Sequence, residues 1–133
     1  MKYLLDTNAI IVHMFNSQTY AKLSQEAMDI IQASDELFLS DISLWELAIK
    51  ERLGKIHLGK TISEVEAECN RQGIEILRLK TEYIDKTLEI PLYDDHKDAF
   101  DRLILAIALV EGLSLITTDE KIHTHDYGVN IIK

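Results

Sequence analysis

Short runs of strand length alternate with helical segments along the whole chain. Five runs are typical of strands, and apolar residues at helical spacing separate them. Strands that alternate with helices build a parallel sheet covered on both faces. We therefore predict an α/β fold, a three-layer sandwich with a central, mostly parallel sheet of four or five strands flanked by helices. The predicted strands are 2–6, 36–40, 74–79, 113–117 and 129–133; the predicted helices are 9–15, 21–33, 42–53, 61–72, 82–88, 98–111 and 120–124.

Length and composition favour one globular domain over residues 1–133. The chain is 47% hydrophobic and has a single proline, so a substantial core is expected. A lone cysteine, Cys69, has no internal partner for a disulfide. The longest uncharged apolar run, 103–110, is far shorter than the roughly 20 residues that span a bilayer. The first residues, MKYLLD, reach a charge too early for a signal peptide. These features predict a cytoplasmic protein with no membrane segment.

The charge of the chain is unevenly distributed. A formal net charge of −9 opposes general binding of nucleic acid, because an acidic surface repels phosphates. The window 50–60 nevertheless holds four basic residues against one acid. Lys50, Arg52 and Lys55 are candidates for contacts with phosphates, although a solvated helix face has the same composition.

Carboxylates recur where predicted strands end and helices begin. The motifs are LLDTN at 4–8, SLWEL at 43–47, DAFDR at 98–102 and ITTDE at 116–120. In an open α/β fold, ligands bind in the crevice at the carboxyl ends of the strands. Carboxylates that converge there would bind a hard cation such as Mg²⁺ or Mn²⁺. The candidate ligands are Asp6, Glu46, Asp101 and Asp119.

Each acid also has an interpretation as a helix cap. Ser43 and Glu46 match a capping box, and Asp98 with Asp101 suits the first turn of a helix. Glu46 lies in an otherwise apolar run, however, where an unpaired carboxylate is costly. If the acids meet, their repulsion must be offset by a divalent cation, by protonation or by a basic side chain.

These motifs together resemble one known family. DTN after the first strand, SLWELAIKERLGKI, DAFDRLILAIALVEG and the strand end LITTD are similar to PIN-domain ribonucleases, above all to VapC-type toxins of bacterial toxin–antitoxin pairs. The resemblance runs from Met1 to Lys133 in the same order. Two positions depart from it: DTN stands where relatives often have DTH, and Ala99 replaces a frequent proline. Neither change removes a proposed ligand.

The resemblance implies a PIN-like domain and a Mg²⁺- or Mn²⁺-dependent endoribonuclease. Its acidic quartet would be Asp6, Glu46, Asp101 and Asp119, with auxiliary roles for Asp98, Thr7, Asn8 and Ser43. Cleavage would leave a 5′-phosphate and a 3′-hydroxyl. The implied partners are an RNA substrate, a cognate antitoxin that wraps the toxin, and a second copy in a homodimer. Ile11, Met14 and Phe15 would belong to such a face or, more simply, to the core.

Other functions fit the sequence less well. A catalytically inactive PIN-like module that binds protein or RNA is the main alternative, although it would not need all four acids. A haloacid-dehalogenase phosphatase needs a second Asp where Asn8 stands, and a phosphate-accepting receiver domain needs an acidic pair in another order.

Several other polar and aromatic residues carry weaker signals. His123 and His125 are interpreted as exposed polar residues, although their spacing also permits a transition-metal site. Trp45 is expected in the core, with base stacking as the alternative. Tyr93 and Tyr127 support no specific prediction.

Overall fold

A computed structural model of the chain describes residues 1–15, 20–34 and 36–133. Five parallel strands form one sheet in the order β3-β2-β1-β4-β5. This arrangement confirms the predicted α/β sandwich and its parallel sheet. The strands are β1 Tyr3–Leu5, β2 Leu37–Ser40, β3 Ile74–Leu77, β4 Ser114–Ile116 and β5 Ile131–Ile132.

Seven helices lie within the described ranges. Most begin and end within two residues of the predicted bounds, but the helix expected from residue 21 starts at Gln25, since the Ser24 hydroxyl accepts from Ala27 N at 3.1 Å and caps it. The helices are α1 Thr7–Phe15, α2 Gln25–Ala33, α3 Asp41–Arg52, α4 Ile62–Arg71, α5 Thr81–Thr87, α6 Ala99–Glu111 and α7 Glu120–Thr124.

Alternate residues of each central strand enter two separate cores. Leu5 and Ile116 pack with α1 to α4 on one face of the sheet. Leu4 and Leu115 pack with α5, α6 and α7 on the other. Because successive side chains of a strand point to opposite faces, a buried parallel strand must be apolar on both. This requirement explains why the predicted strands are nearly continuous apolar runs.

The first strand is the centre of the sheet. β1 pairs with β2 on one side, where Leu5 lies opposite Leu39, and with β4 on the other, where it lies opposite Ile116. The chain therefore builds the sheet outward from β1 to β3 and then returns to the other side for β4 and β5. The strand order reverses between β1 and β4, which is where open α/β sheets leave a crevice at their carboxyl ends.

Two expectations about packing have opposite outcomes. Ile11 is fully buried, as expected for a core residue. The prediction that Trp45 lies in the core is wrong, because its side chain is 59% exposed and packs beside Phe100 at 5.4 Å between ring centroids. Leu44 and Leu47 define the buried face of α3, and Trp45 projects away from that face.

No helix in the described part of the chain combines the length and the apolar character needed to cross a membrane.

Candidate metal centre

Asp6 connects the central strand to the first helix. It directly follows β1, and its Oδ1 accepts a hydrogen bond from Ala9 N at 2.8 Å. Its other oxygen accepts from the Thr117 hydroxyl at the end of β4. The capping interpretation of Asp6 is therefore correct, yet its side chain also reaches the crevice between the two strands.

Thr117 is a site residue that the sequence reasoning missed. Its hydroxyl donates to Asp6 and accepts from Asp119 N at 3.0 Å, so it joins the ends of β1 and β4. Asp119 also caps α7, because its Oδ1 accepts from Lys121 N at 2.9 Å. The signal was present in ITTDE, where a threonine stands two residues before the acid at a strand end.

Glu46 is held by Thr7 and does not form a capping box. The cap of α3 is Ser40, whose hydroxyl accepts from Ile42 N at 3.1 Å, so the capping interpretation of Ser43 and Glu46 is wrong. The Thr7 hydroxyl lies 2.5 Å from Glu46 Oε1 and 3.0 Å from Ser43 Oγ. A hydroxyl donates only one proton, which the carboxylate accepts, and Ser43 is then placed to donate to Thr7.

The beginning of α6 supplies two more carboxylates. Asp98 is the N-cap and accepts from Asp101 N at 3.0 Å, as the capping interpretation predicts. Asp101 lies in the first turn of α6, where the positive end of the helix dipole stabilises an anion. Its Oδ2 lies 2.7 Å from Nε2 of His96.

His96 and Tyr127 complete the surroundings of Asp101, and neither was predicted. His96 is 3% exposed, and its Nδ1 lies 2.5 Å from the Tyr127 hydroxyl. A histidine five residues before an acid, outside a helix, has no regular spacing that would predict contact. The link between residues 96 and 127 is tertiary, so the local sequence carries no signal for it.

The predicted acids line one cavity of about 190 Å³ at the carboxyl edge of the sheet. All four members of the predicted quartet are there, together with Asp98, so five carboxylates face the same space. The other lining residues are Thr7, Asn8, Lys50 and Ile104. Ser43 is fully buried and contacts Thr7 without being part of the lining. Arg52 and Lys55 are exposed at the end of α3 and beyond it, outside the lining.

Lys50 is the cation that lines the cavity. Its Nζ lies 3.1 Å from the Tyr20 hydroxyl and 5.1 Å from the centre of the Tyr20 ring. The ammonium group is therefore fastened to a neighbouring aromatic side chain. Five lining acids against one lysine leave the cavity strongly negative if every carboxyl is ionised.

Burial and mutual repulsion act on the two innermost carboxyls. Burial raises the pKa of Asp6 to about 7, against the opposing hydrogen bonds from Thr117 and Ala9, and the charges of Asp101 and Asp119 raise it further. Burial also raises the pKa of Asp101 to about 6, with Asp98 and Asp119 adding to the effect. Both carboxyls are thus costly to ionise without a compensating cation.

The donor set fits a hard divalent cation. One ligand atom each from His96, Asp101 and Asp119 lie within 4.8 Å of one another. At such separations two unit charges repel by roughly 3–4 kcal/mol at an effective dielectric constant near 20. Carboxylate oxygens are the ligands that Mg²⁺ and Mn²⁺ prefer. A divalent cation would therefore relieve the repulsion that the pKa shifts record.

The two histidines near the carboxyl terminus have other partners. His123 Nε2 lies 2.8 Å from the Thr117 carbonyl, and His125 Nε2 lies 2.7 Å from Asp95 Oδ1. Both side chains are half-buried, which differs from the exposed position that we expected.

Several solved structures have folds similar to that of this chain. A DNA-bound VapBC from Salmonella typhimurium aligns with a TM-score of 0.68 at 20% identity, over 98% of this chain and 96% of that chain. FitAcB from Neisseria gonorrhoeae aligns with a TM-score of 0.64 at 23% identity, over 98% of this chain and 96% of that chain. A toxin–antitoxin complex from Klebsiella pneumoniae aligns with a TM-score of 0.61 at 20% identity, over 99% of this chain and 97% of that chain. At these identities the similarity establishes the fold.

Comparison with curated proteins finds no significant match. A family model described as the PIN domain matches residues 3–126, a span that contains every lining residue of the cavity. The match covers nearly all of the 133 residues and agrees with the parallel sheet and its order. The chain therefore belongs to the PIN domain family.

Proposed function

We propose that this chain is a divalent-metal-dependent endoribonuclease, formed as a single PIN-like domain over residues 1–133, and that it is the toxin of a toxin–antitoxin pair in the cytoplasm. One observation carries the proposal. Five carboxylates from four separate parts of the chain line a single cavity, and two of them have raised pKa values. Such an arrangement opposes folding, so a function that uses the charges is the simplest reason for it.

The cation would be held by Asp6, Asp101 and Asp119, with Glu46 as a further ligand. When bound, a divalent ion lowers the pKa of a water molecule and polarises a phosphate oxygen. The protein residues supply the geometry: Thr117 holds Asp6 and Asp119 in register, and Thr7 holds Glu46. Auxiliary roles are proposed for Asp98, which accepts from Asp101 N, for Ser43, which contacts Thr7, and for Asn8, which lines the cavity. Mg²⁺ and Mn²⁺ both suit the oxygen ligands.

Lys50 is the proposed contact to the phosphate that is cut. It lines the cavity with the acids, and its contact with Tyr20 orders the long side chain. Arg52 and Lys55 lie further along the same segment and are proposed to hold flanking RNA phosphates. Local positive charge on an otherwise acidic surface would direct the RNA toward this edge of the sheet. The products would carry a 5′-phosphate and a 3′-hydroxyl.

The proposed protein partners are an antitoxin and a second copy of the chain. The neighbours described as VapBC and FitAcB support an antitoxin partner. For the second copy, an apolar groove beside the cavity is the proposed contact surface. Trp45 lines this groove, is 59% exposed and packs beside Phe100. Sedimentation of the chain and of Trp45→Asp would test this, since a charge in a dimer face should shift the mass to that of a monomer.

The second candidate function is an inactive PIN-like module that binds protein or RNA without cutting it. A cleavage assay separates the two. Purified chain, mixed RNA and Mn²⁺ should give shorter fragments, and removal of the metal with EDTA should stop cleavage. Asp6→Asn should abolish it, whereas Asp94→Asn should leave it unchanged, because Asp94 is fully exposed, pairs with Lys97 at 3.8 Å and is not among the residues that line the cavity. Equal cleavage by Asp6→Asn, or cleavage in EDTA, would refute the proposed mechanism.

A further inference from the structure

A buried row of three polar side chains ends on Asp101. The Tyr127 hydroxyl lies 2.5 Å from His96 Nδ1, and His96 Nε2 lies 2.7 Å from Asp101 Oδ2. His96 and Tyr127 are 3% and 6% exposed, so bulk water does not compete for these contacts. The two rings also meet edge to face, with 5.6 Å between centroids and 74° between planes. The ring of His96 is thus fixed by packing as well as by hydrogen bonds.

The donors in this row follow from the chemistry of its two ends. An ionised Asp101 only accepts, so the shared proton belongs to Nε2 of His96. With that proton on Nε2, Nδ1 of a neutral ring is an acceptor, and the Tyr127 hydroxyl supplies its proton. Tyr127 therefore selects the form of His96 that donates to the carboxylate.

The segment that carries His96 is held by hydrogen bonds to α6 and by one within itself. Arg102 in α6 donates to the carbonyls of Thr87, Ile90 and Pro91 at 2.7, 3.0 and 3.1 Å. His96 N then donates to Tyr93 O at 3.1 Å. These bonds hold the connection from α5 to α6 against the helix, which limits the movement of the imidazole relative to Asp101.

In the same connection, the hydroxyl of Tyr93 donates to Asp126 O at 3.2 Å. This bond ties the same connection to the residue that precedes Tyr127. The segment that carries His96 is thus bonded to the helix that carries Asp101 and to the segment that carries Tyr127.

His96 lies within ligand distance of Asp101 and Asp119, so direct coordination of a cation is the competing explanation. It is disfavoured because coordination needs a free lone pair. Both ring nitrogens lie within hydrogen-bond distance of their partners, and in the tautomer inferred above Nε2 donates to Asp101 and Nδ1 accepts from Tyr127. Mg²⁺ and Mn²⁺ also prefer oxygen ligands, which the neighbouring carboxylates supply.

We propose that His96, oriented by Tyr127, is a positioning residue that holds one oxygen of Asp101 and thereby sets the orientation of this carboxylate toward the cation. The inference rests on the proposed metal-dependent function of the cavity. Removal of a group that hydrogen-bonds to a metal ligand typically lowers metal affinity by about 10- to 100-fold. The same loss is expected here.

A first test uses the metal-free protein. Nitrogen-15 NMR of the histidine rings should show a proton on Nε2 of His96 at neutral pH. In Tyr127→Phe, which keeps the ring and removes the hydroxyl, the Nδ1 site loses its donor, so a second tautomer should become populated. A proton on Nδ1 with a bare Nε2 in the unmodified protein would overturn the proposed orientation.

A second test compares two replacements of the same ring. In His96→Gln, the side-chain amide nitrogen reaches the position of Nε2 and still donates to Asp101. In His96→Asn, the side chain is shorter, and its amide nitrogen faces Tyr127 instead. Titration of Mn²⁺ by electron paramagnetic resonance should show affinity about 10- to 100-fold weaker for His96→Asn. His96→Gln should retain most of the affinity of the unmodified chain. Ile107→Val, a change in the fully buried core of α6, is the stability control and should lower Tm without changing Mn²⁺ affinity.

The outcomes separate this inference from the proposed function. If the unmodified chain binds no Mn²⁺, both fail. If it binds Mn²⁺ and His96→Asn binds it equally well, the positioning role fails and the metal site stands. If the Gln and Asn variants lose affinity alike, the donor at Nε2 is not what matters, and the inference is overturned. Loss in Asn with retention in Gln supports it.

Discussion

Two histidine–aspartate pairs in this protein have the same contact distance, yet the pKa values of the two acids are shifted in opposite directions. His96 with Asp101 and His125 with Asp95 both have 2.7 Å between nitrogen and oxygen. The pKa of Asp101 is raised to about 6, chiefly by burial. The pKa of Asp95 is held below its usual value, chiefly by the hydrogen bond from His125. The partner is the same in kind, so the surroundings decide the sign.

The difference lies in solvent and in neighbouring charge. The side chain of Asp95 is 62% exposed, and its ionised form is solvated as well as paired. The side chain of Asp101 is 25% exposed and lies beside Asp98 and Asp119, whose charges oppose its ionisation. A hydrogen bond from histidine does not overcome burial among like charges. The His125–Asp95 pair is an exposed surface contact, whereas the His96–Asp101 pair lies at the cavity where five carboxylates meet.

The largest expected effect is a difference in RNA cleavage between variants of Asp101 and Asp95. Asp101→Asn should lower metal-dependent RNA cleavage by more than about 100-fold, since even groups one contact removed from a metal cost 10- to 100-fold. Asp95→Asn removes an exposed pair outside the cavity and should change the rate by less than about 2-fold. Initial rates of both variants at saturating Mn²⁺ measure this contrast. Comparable losses in the two variants would show that the pairs are not different in function.

The next effect concerns the pH dependence of stability without metal. Asp6 has a folded pKa of about 7 against a usual value of 3.8. As pH rises between these values the unfolded chain releases its proton while the folded chain keeps it, so the free energy of unfolding falls. The shift corresponds to a loss of roughly 4 kcal/mol by the time Asp6 ionises in the folded state.

Asp6→Asn should remove this part of the fall and leave the smaller part that the raised pKa of Asp101 causes. In EDTA at about pH 8, the variant should unfold at higher denaturant concentration than the unmodified protein, while near pH 4 the two should be similar. Mg²⁺ should then stabilise the unmodified protein and have little effect on the variant. Urea melts at the two pH values measure both effects. A flat pH profile for the unmodified chain would contradict the raised pKa of Asp6.

The smallest expected effect is a difference in sensitivity to salt. Raising NaCl from about 0.1 M to about 1 M shortens the Debye length from about 10 Å to about 3 Å. The pKa of exposed Asp95 should rise toward its usual value, because its contact with His125 is screened. The pKa of Asp101, raised first by burial, should move less. Carboxyl carbon NMR titrations at the two salt concentrations follow both groups, and a larger shift at Asp101 would reverse the comparison.

The fold was predictable because its signals are local. Strands such as 113–117 are apolar on both faces, which is what burial in a parallel sheet requires. Glycines marked helix ends, as at Gly112, which directly follows α6 and has a φ of 67° that favours glycine. Trp45 was misplaced because the run that contains it is apolar over most of its circumference, so periodicity did not define the buried face of α3.

The convergence of the acids on one cavity was predictable, whereas the groups that contact them were not. Asp6 and Asp119 stand at strand ends, and parallel strands bring their ends to one edge. The order of the strands, which makes β1 and β4 neighbours, was not read from the sequence. The contacts of Thr117 with Asp6, and of Tyr127 with His96, depend on that arrangement. Their partners are 111 and 31 residues away in the chain, so no local pattern encodes them.

The central position of β1 has a consequence for synthesis of the protein. The strand that carries Asp6 is made first, but β4, its neighbour on one side, is made more than a hundred residues later. A growing chain on the ribosome therefore holds Asp6, Glu46 and Asp101 before the strand that aligns them with Asp119 exists. Translation products that stop before residue 114 would lack the completed pocket. Completion of the pocket thus waits until nearly the whole polypeptide has been made.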